Sequence, residues 1–150
     1  MKDRYLFKAK RIDNGEWEIG SLIALPTGEY EISNKCNNPP DCDPMWDKVV
    51  ITHKVDPSTI CQCTGLKDKN GKLIWENDVI KYHFRDLYAQ IRYGAYQSCF
   101  DSQKAEHIGF YVDWSESRNY RKDLGYWINM VNAEVVGNIF DNADLLESEG

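Results

Sequence analysis

Long hydrophobic runs are missing from this sequence. No segment approaches the roughly 18 consecutive apolar residues that a membrane-spanning helix needs, so we expect no membrane partner. The N-terminal stretch MKDRYLFKAKRID contains no apolar run of signal-peptide length. The five cysteines are an odd number, which suits a reducing compartment better than a framework of disulfides. Together these features predict a cytoplasmic protein.

Positive charge is in short supply as well. The 150 residues include 18 Lys and Arg against 24 Asp and Glu, which gives a formal net charge of −6. A surface that wraps nucleic acid needs clustered positive charge to replace counterions, so this balance disfavours nucleic acid as a partner. The densest basic cluster consists of Lys8, Lys10 and Arg11, and its short length is typical of an ordinary solvated strand face.

Local motifs for catalysis are absent too. The sequence has no phosphate-binding G-x-x-x-x-G-K-[ST] motif, and none of its three histidines and five cysteines lies in a nucleophile motif. A nucleophilic site can still be assembled in space. Its candidate members are Cys99, His83, His107, Asp101 and Asp113. His53, within VVITHKV, is more typical of a strand face than of a general base. We therefore expect a protein that is not an enzyme and that binds no cofactor.

Four of the cysteines raise the question of zinc. Five residues separate Cys36 from Cys42, and one residue separates Cys61 from Cys63. Zinc knuckles usually place about two to four residues between ligands, and a C-x-C pair on a strand lacks the turn that chelation needs. We expect no bound metal, two thiols in a loop and two partly buried thiols on a strand.

Sustained helical periodicity is also lacking, whereas period-2 alternation recurs along the chain. The turn signals DNG at 13–15 and PTG at 26–28 separate three alternating segments, which predicts an antiparallel meander that ends near Ile32. In the second segment Trp17, Ile19 and Ile23 share one face. Three prolines and three asparagines within 33–44 predict an exposed irregular loop.

The rest of the chain is predicted to be β-rich as well, which the 13% content of aromatic residues favours. The predicted strands are 48–55, 59–64, 73–75, 79–84, 87–93, 108–114, 126–131 and 134–139, followed by one helical turn at 143–146. Asp68 is expected to bond backbone amides within a type I turn at 68–71, and 76–78 to form a second corner. A chain of this length fits a single domain, 1–150, with a meander and loop over 1–64 and a second part over 65–150.

Three blocks of sequence resemble, in the right order, blocks typical of the YopX family of small phage and prophage proteins. They are GEWEIGSLI at 15–23, TGLKDKNGKLIWENDVI at 64–80 and EVVGNIFDNADLL at 134–146. The chain departs from the pattern at Trp75, where the family often has Tyr or Phe, at Asn77, where Gly is common, and at Ala143, where Pro is typical.

The resemblance implies a mainly β fold with a small SH3-like barrel in the second half, and a tendency to self-associate. It supplies no catalytic residues. The positions that carry the motifs are turn formers, which we interpret as determinants of the fold: Gly65, Asp68, Gly71, Asp78, Gly137 and Asn138.

One stretch, GFYVDWSESRNYRKDLGYW at 109–127, interleaves aromatic and basic residues. Proteins that bind single-stranded nucleic acid use this mixture to stack bases above a basic groove, but a hairpin with core-facing aromatics and a charged tip has the same pattern. The stretch is the best candidate for an interaction surface, through Tyr111, Trp114, Arg118, Tyr120, Arg121 and Trp127.

The sequence therefore predicts a phage or prophage accessory protein that self-associates as a homo-oligomer, with a phage or host protein as a further partner. The alternative is a protein that binds single-stranded nucleic acid through an aromatic and basic face of the barrel.

Overall fold

The computed structural model describes residues 5–35, 50–82, 87–97, 106–114 and 122–147. The chain is mainly β, with antiparallel strands, and it divides into two compact units, Met1–Cys63 and Thr64–Gly150. The strands are β1 (Phe7–Lys10), β2 (Trp17–Ala24), β3 (Tyr30–Lys35), β4 (Val50–Val55), β5 (Cys61–Lys67), β6 (Leu73–Trp75), β7 (Asp78–Tyr82), β8 (Leu87–Gln97), β9 (Glu106–Asp113) and β10 (Glu134–Asn138). Two short helices, α1 (Leu124–Asn129) and α2 (Asp144–Glu147), and a 3-10 turn at Pro57–Thr59 complete these segments.

The first unit is a sheet with the strand order β4-β3-β2-β1-β5. The predicted meander is confirmed, because β1, β2 and β3 pair in sequence as antiparallel neighbours. Gly15 and Gly28 close its two turns with φ angles of 72° and 90°, a region that glycine enters without steric cost. The predicted loop does not begin at residue 33, because β3 continues to Lys35. Residues 33–35 pair with β4, and this pairing extends the strand. The remainder of that loop lies outside the described residues.

The core of the first unit lies on one face of this sheet. Ala9, Ile32 and Val55 are buried there, and Phe7, Leu22, Tyr30 and Ile60 pack against them. The opposite face carries Trp17, Ile19 and Ile23, of which Ile19 and Ile23 are exposed. The alternation of β2 is therefore as predicted, but Leu22 is on the core side, whereas Trp17, Ile19 and Ile23 point away from this core.

The edge strand β4 approaches the C-terminal end of β1 at one point. An isolated bridge joins Arg11, just after β1, to Val55 at the end of β4, and the amide of Asp56 donates to the carbonyl oxygen of Lys10 over 2.9 Å. Asp56 also caps the 3-10 turn by accepting from the amide of Ser58 at 3.0 Å.

The second unit contains a four-stranded antiparallel sheet in the order β10-β7-β8-β9. The hairpin of β6 with the end of β5 precedes it, and the hydroxyl of Thr64 donates to the carbonyl oxygen of Ile74 over 2.7 Å. Among the described strands none closes this sheet into a barrel. Among the described residues, its core includes these buried ones: Ile74, Ile80, Ala89, Ile91, Val112, Trp114, Leu124, Trp127, Ile128, Ala133 and Val135.

Residues 126–131, predicted as a strand, belong largely to helix α1 instead. Leu124, Trp127 and Ile128 are its buried residues, and their spacing of three and four is the helical period. Six residues are too few for that period to stand out in the sequence against alternation. The single helical turn predicted near the C-terminus is confirmed by α2.

Asp68 forms the predicted turn and also reaches a distant strand. Its Oδ1 accepts from the amides of Asn70 and Lys72 at 2.9 and 3.0 Å, and Gly71 takes a φ of 78°. Its Oδ2 accepts from the amide of Val135 at 3.1 Å. The buried carboxylate therefore ties the turn at 68–71 to β10.

The corner at 76–78 is built differently. Asn77 has a φ of 71°, its amide donates to the carbonyl oxygen of Ile91 at 2.8 Å, and its carbonyl oxygen accepts from the amide of Ile139 at 3.0 Å. Asp78 accepts from the amide of Trp75 at 2.9 Å. This corner links β7, β8 and the end of β10.

The remaining motif glycines and asparagine lie where the backbone departs from regular strand geometry. Gly65 has a φ of 83° within β5, and a bulge in β10 falls between Val135 and Gly137. Asn138 follows, and its Oδ1 accepts from the amides of Phe140 and Asp141 at 2.9 Å each.

No helix in the described parts of the chain is long and apolar enough to cross a membrane.

Candidate interaction surface

β8 and β9 are longer than the rest of their sheet and extend beyond it. β7 pairs with β8 only over Leu87–Gln90, whereas β8 and β9 pair from Gln90 and Asp113 to Gln97 and Glu106. We call the two-stranded extension, residues 91–97 and 106–112, the arm. An arm of this kind is supported by its neighbours on fewer sides than a central strand is, and side chains farther from the sheet, such as Tyr93 and Ile108, are exposed.

One face of the arm continues the core face outward. Ile91 and Val112 pair across the strands and are buried, and the next pairs on the same face are Tyr93 with Phe110 and Ala95 with Ile108. The first of these pairs makes an edge-on ring contact at 5.0 Å between centroids. Tyr93 is 55% exposed and Ile108 76% exposed. We call Tyr93, Ala95, Ile108 and Phe110 the apolar face, and contiguous exposure of this kind is typical of a binding surface.

The opposite face of the arm carries a stack of rings over a floor without side chains. Tyr96 stacks on Tyr111 with centroids 5.2 Å apart and lies 5.4 Å from the ring of His107. Between these positions, Gly94 pairs with Gly109. Aromatic rings that lie over glycines cover their bare backbone. Burial, together with the negative charge of Asp123, raises the pKa of the Tyr96 hydroxyl above its ordinary value.

At its base the arm is fixed by polar contacts. Nε of Arg92 lies 2.8 Å from Oδ2 of Asp113. On the outer side of β9, Tyr111 bridges to Asp123, and the amide of Val112 donates to the carbonyl oxygen of Lys122 at 2.9 Å. The arm is therefore anchored where it joins the sheet.

The surface predicted from the sequence is divided by the structure. Tyr111 lies in the ring stack of the arm, but Trp114 and Trp127 are core residues, 5% and 3% exposed, with centroids 4.8 Å apart. Arg118, Tyr120 and Arg121 lie outside the described residues. The apolar face was not predicted from the sequence. The sequence pattern that indicates it is the alternation of Ile91, Tyr93 and Ala95, which keeps apolar side chains on the core side of β8 beyond the point where β7 ends.

The basic cluster of the first unit is partly neutralised. The ammonium groups of Lys8 and Lys10 lie 4.7 and 5.4 Å from the centroid of the Trp17 ring. Arg11 pairs with Asp13 at 2.6 Å and with Glu18 at 3.4 Å. Hydrogen bonding from Arg11 lowers the pKa of the Asp13 carboxyl. Of the three basic residues, Arg11 is thus paired with carboxylates, whereas Lys8 and Lys10 keep their charge against the Trp17 ring.

The candidate metal and catalytic residues are not brought together in the described part of the chain. Cys61 and Cys63 are buried on one face of β5, as predicted, and no group of three His, Cys, Asp or Glu residues there could hold a metal ion. His107 lies in the ring stack, and Asp113 pairs with Arg92. His53 lies within β4, opposite Ile32. The other candidates lie outside the described residues: Cys36, Cys42, His83, Cys99 and Asp101.

Two antiparallel β units and a protruding arm define the class of the molecule as a small β-rich protein. A family model described as "YopX protein" matches residues 7–147, nearly the whole chain. The chain belongs to the YopX family. A search of curated proteins found no match.

Proposed function

We propose that this protein is a non-enzymatic interaction module that self-associates through its arm. The carrying observation is the apolar face, where Tyr93 and Ile108 stand exposed side by side with Ala95 and Phe110. Exposed apolar surface is unfavourable in water by about 25 cal/mol per Å². A second copy that covers the arm would remove part of that cost.

The proposal extends to the setting in which the protein acts. Family membership supports a role as an accessory protein of a phage or prophage in the cytoplasm of a bacterial host. In that setting a phage or host protein is a further candidate partner for the same arm, because a contiguous apolar face does not by itself select a second copy.

The family resemblance implied an SH3-like barrel in the second half of the chain; we propose that such a barrel lies in the first unit instead. There β1 pairs with both β2 and β5, a meander leads to β4, and a 3-10 turn separates β4 from β5. The bridge between Arg11 and Val55 supports curling of that sheet onto itself. A barrel in the second unit has no comparable support.

The second candidate function is binding of single-stranded nucleic acid through the opposite face of the arm. The stacked rings of Tyr96 and Tyr111 favour it, because bases stack on such rings. The charges nearby oppose it: Arg92 is paired with Asp113, and Asp123 adds negative charge beside Tyr96. We therefore place self-association first.

Light scattering with size-exclusion chromatography over a range of concentrations tests the proposal. The wild type should rise above 17.4 kDa as concentration increases, and Ile108→Lys should remain at the monomer mass. The matched control is Ile12→Lys, because Ile12 is also a largely exposed isoleucine, at 65%, but lies in the first unit. Its profile should equal that of the wild type.

Two results would contradict the proposal. A wild type that stays at 17.4 kDa up to about 200 µM would exclude self-association at the strength expected of even a small interface. Salt-sensitive binding of single-stranded DNA by that monomer, lost in Tyr96→Ala, would favour the second candidate function instead.

A further inference from the structure

We infer that the second copy pairs with the outer edge of β9 at residues 106–110, in an antiparallel two-fold arrangement centred on Ile108. This inference rests on the proposed self-association and specifies its geometry. It is distinct from packing the apolar faces of two arms against each other, which would use β8 and β9 equally.

Among the described residues, contacts to the outer edge of β9 lie at its C-terminal end. Tyr111 bridges to Asp123, and in an antiparallel register the next positions toward residue 106 would pair with residues 124–128. Those residues form helix α1, so they cannot continue the ladder. Within the described parts of the chain, β9 therefore has no strand beyond its outer edge over 106–110.

The backbone of this edge is oriented for pairing. The amide of Val112 donates outward, to Lys122, and amides alternate in direction along a strand. The amides and carbonyl groups of Glu106, Ile108 and Phe110 therefore point outward as well. An open row of this kind is a template for another strand.

The side chains of the edge give it little protection. Proteins commonly block such edges with charged residues or proline, but the segment EHIGF has one formal charge, at Glu106. Ile108 is 76% exposed, and it has no polar end that could remain in water. Tyr93, by contrast, has a hydroxyl that suits partial exposure. Covering Ile108 is therefore the largest gain that the arm offers.

One register uses the open edge fully. Centring the two-fold axis on Ile108 places Ile108 opposite Ile108 of the second copy, and Glu106 opposite Phe110 of the second copy. No like charges then face each other. Centring the axis on Gly109 would require Tyr111, whose outer side is already bridged to Asp123. Centring the axis on His107 would extend the pairing past Glu106, the first residue of β9, and place His107 opposite His107 of the second copy.

The size of the edge predicts a weak dimer. Five strand residues span about 17 Å, so with side chains on both faces each copy contributes on the order of 300–400 Å². The two copies together bury about 600–800 Å², which lies below the roughly 1,200–2,000 Å² of stable interfaces and at the low end that transient ones occupy. Association should therefore depend on protein concentration.

Disulfide trapping distinguishes the edge from the face. Ala95 and Ile108 are cross-strand partners on the same face, one on β8 and one on β9, so Ile108→Cys and Ala95→Cys form a matched pair. In the proposed register the two Ile108 Cα atoms lie about 5.5 Å apart, which a disulfide can span. After mild oxidation at about 100 µM, a concentration suited to a transient interface, Ile108→Cys should form at least tenfold more covalent dimer than Ala95→Cys. The wild type measures the background from native cysteines.

Amide hydrogen exchange gives an independent readout. In the wild type, exchange at Ile108 and Phe110 should slow as concentration rises, while exchange at the exposed residue Ile12 stays constant. Equal trapping of both cysteine variants, trapping of Ala95→Cys alone, or unchanged exchange at Ile108 would each overturn the edge geometry. If light scattering still shows a dimer in those cases, self-association stands and the register does not. A monomer in every assay overturns both.

Discussion

Replacing Asp68 should destabilise the second unit more than its position in a surface turn suggests. Its carboxylate accepts three backbone hydrogen bonds: from Asn70 and Lys72 within the turn, and from Val135 in β10. Asp68→Ala removes all three hydrogen bonds. The amides within the turn can bond water, but the amide of Val135 is at a buried residue and would lose its partner.

The magnitude follows from these two classes of bond. A buried amide left without a partner costs about 1–3 kcal/mol, and hydrogen bonds to a charged group contribute about 1.5–3 kcal/mol where water does not replace them. Allowing for water at the turn, Asp68→Ala should lower the free energy of unfolding by about 3–4 kcal/mol. That is a large part of the about 5–15 kcal/mol typical of a domain. Asp68→Asn retains Oδ1 but turns an N–H group toward Val135, so it should lose about half as much.

Urea unfolding followed by tryptophan fluorescence measures this difference, because Trp75, Trp114 and Trp127 are all buried in the second unit. The control is Asp56→Ala, which removes a local cap at an exposed position of the first unit and should cost about 0.5–2 kcal/mol. If Asp68→Ala and Asp56→Ala differ by less than about 0.5 kcal/mol, the bond to Val135 does not hold β10, and the reasoning fails.

Three further predictions follow from the geometry. Asn77→Ala should lower the free energy of unfolding in urea by about 1–3 kcal/mol, because alanine is strained at a φ of 71°. Asn77→Gly should stay within about 1 kcal/mol of the wild type, because relief of backbone strain offsets the lost hydrogen bond from Gln90. Gly125→Ala should raise the thermal midpoint of unfolding, because alanine is favoured over glycine in a helix by about 0.8–1 kcal/mol and the added Cβ would meet only ordinary contacts. Gly137→Ala should lower the midpoint, because the added Cβ would collide with Asn142. Spectrophotometric titration should find Tyr96 ionising above the ordinary tyrosine pKa, and Asp123→Asn should lower that pKa while leaving the larger effect of burial. Because the neutral form of Tyr96 is favoured by folding, its contribution to stability is present below the ordinary pKa and is lost as pH rises through the raised one.

Much of the fold was predictable because turns and alternation are local properties. Gly15 and Gly28 mark their turns by residue type alone, and Asp68 marks its turn by the bonds it makes within four residues. The long-range bond from Asp68 to Val135 crosses 67 positions of sequence, and no local pattern encodes it.

The parts that were missed depend on tertiary context. In the sequence, an aromatic residue such as Trp127 looks the same whether it lies in a strand facing solvent or in a short helix packed against Trp114. The sequence predicts that Ile108 lies in a strand but not that it is exposed, because its exposure depends on where β7 stops pairing with β8. The face of β2 that packs into the first core was likewise decided by pairing, since alternation identifies two faces but not which of them is covered.

The residues of the family motifs and the residues of the arm have separate roles. Asp68, Asp78 and Asn138 each hold backbone groups that connect strands or close turns in the second unit, and none of them lies in the arm. Ala95 and Ile108 project from the arm and make none of those connections. Substitutions at the first group should therefore change the free energy of unfolding, whereas substitutions at the second should change assembly with little effect on unfolding. The motifs explain why the chain folds as it does, and a role in self-association has to be sought in the arm.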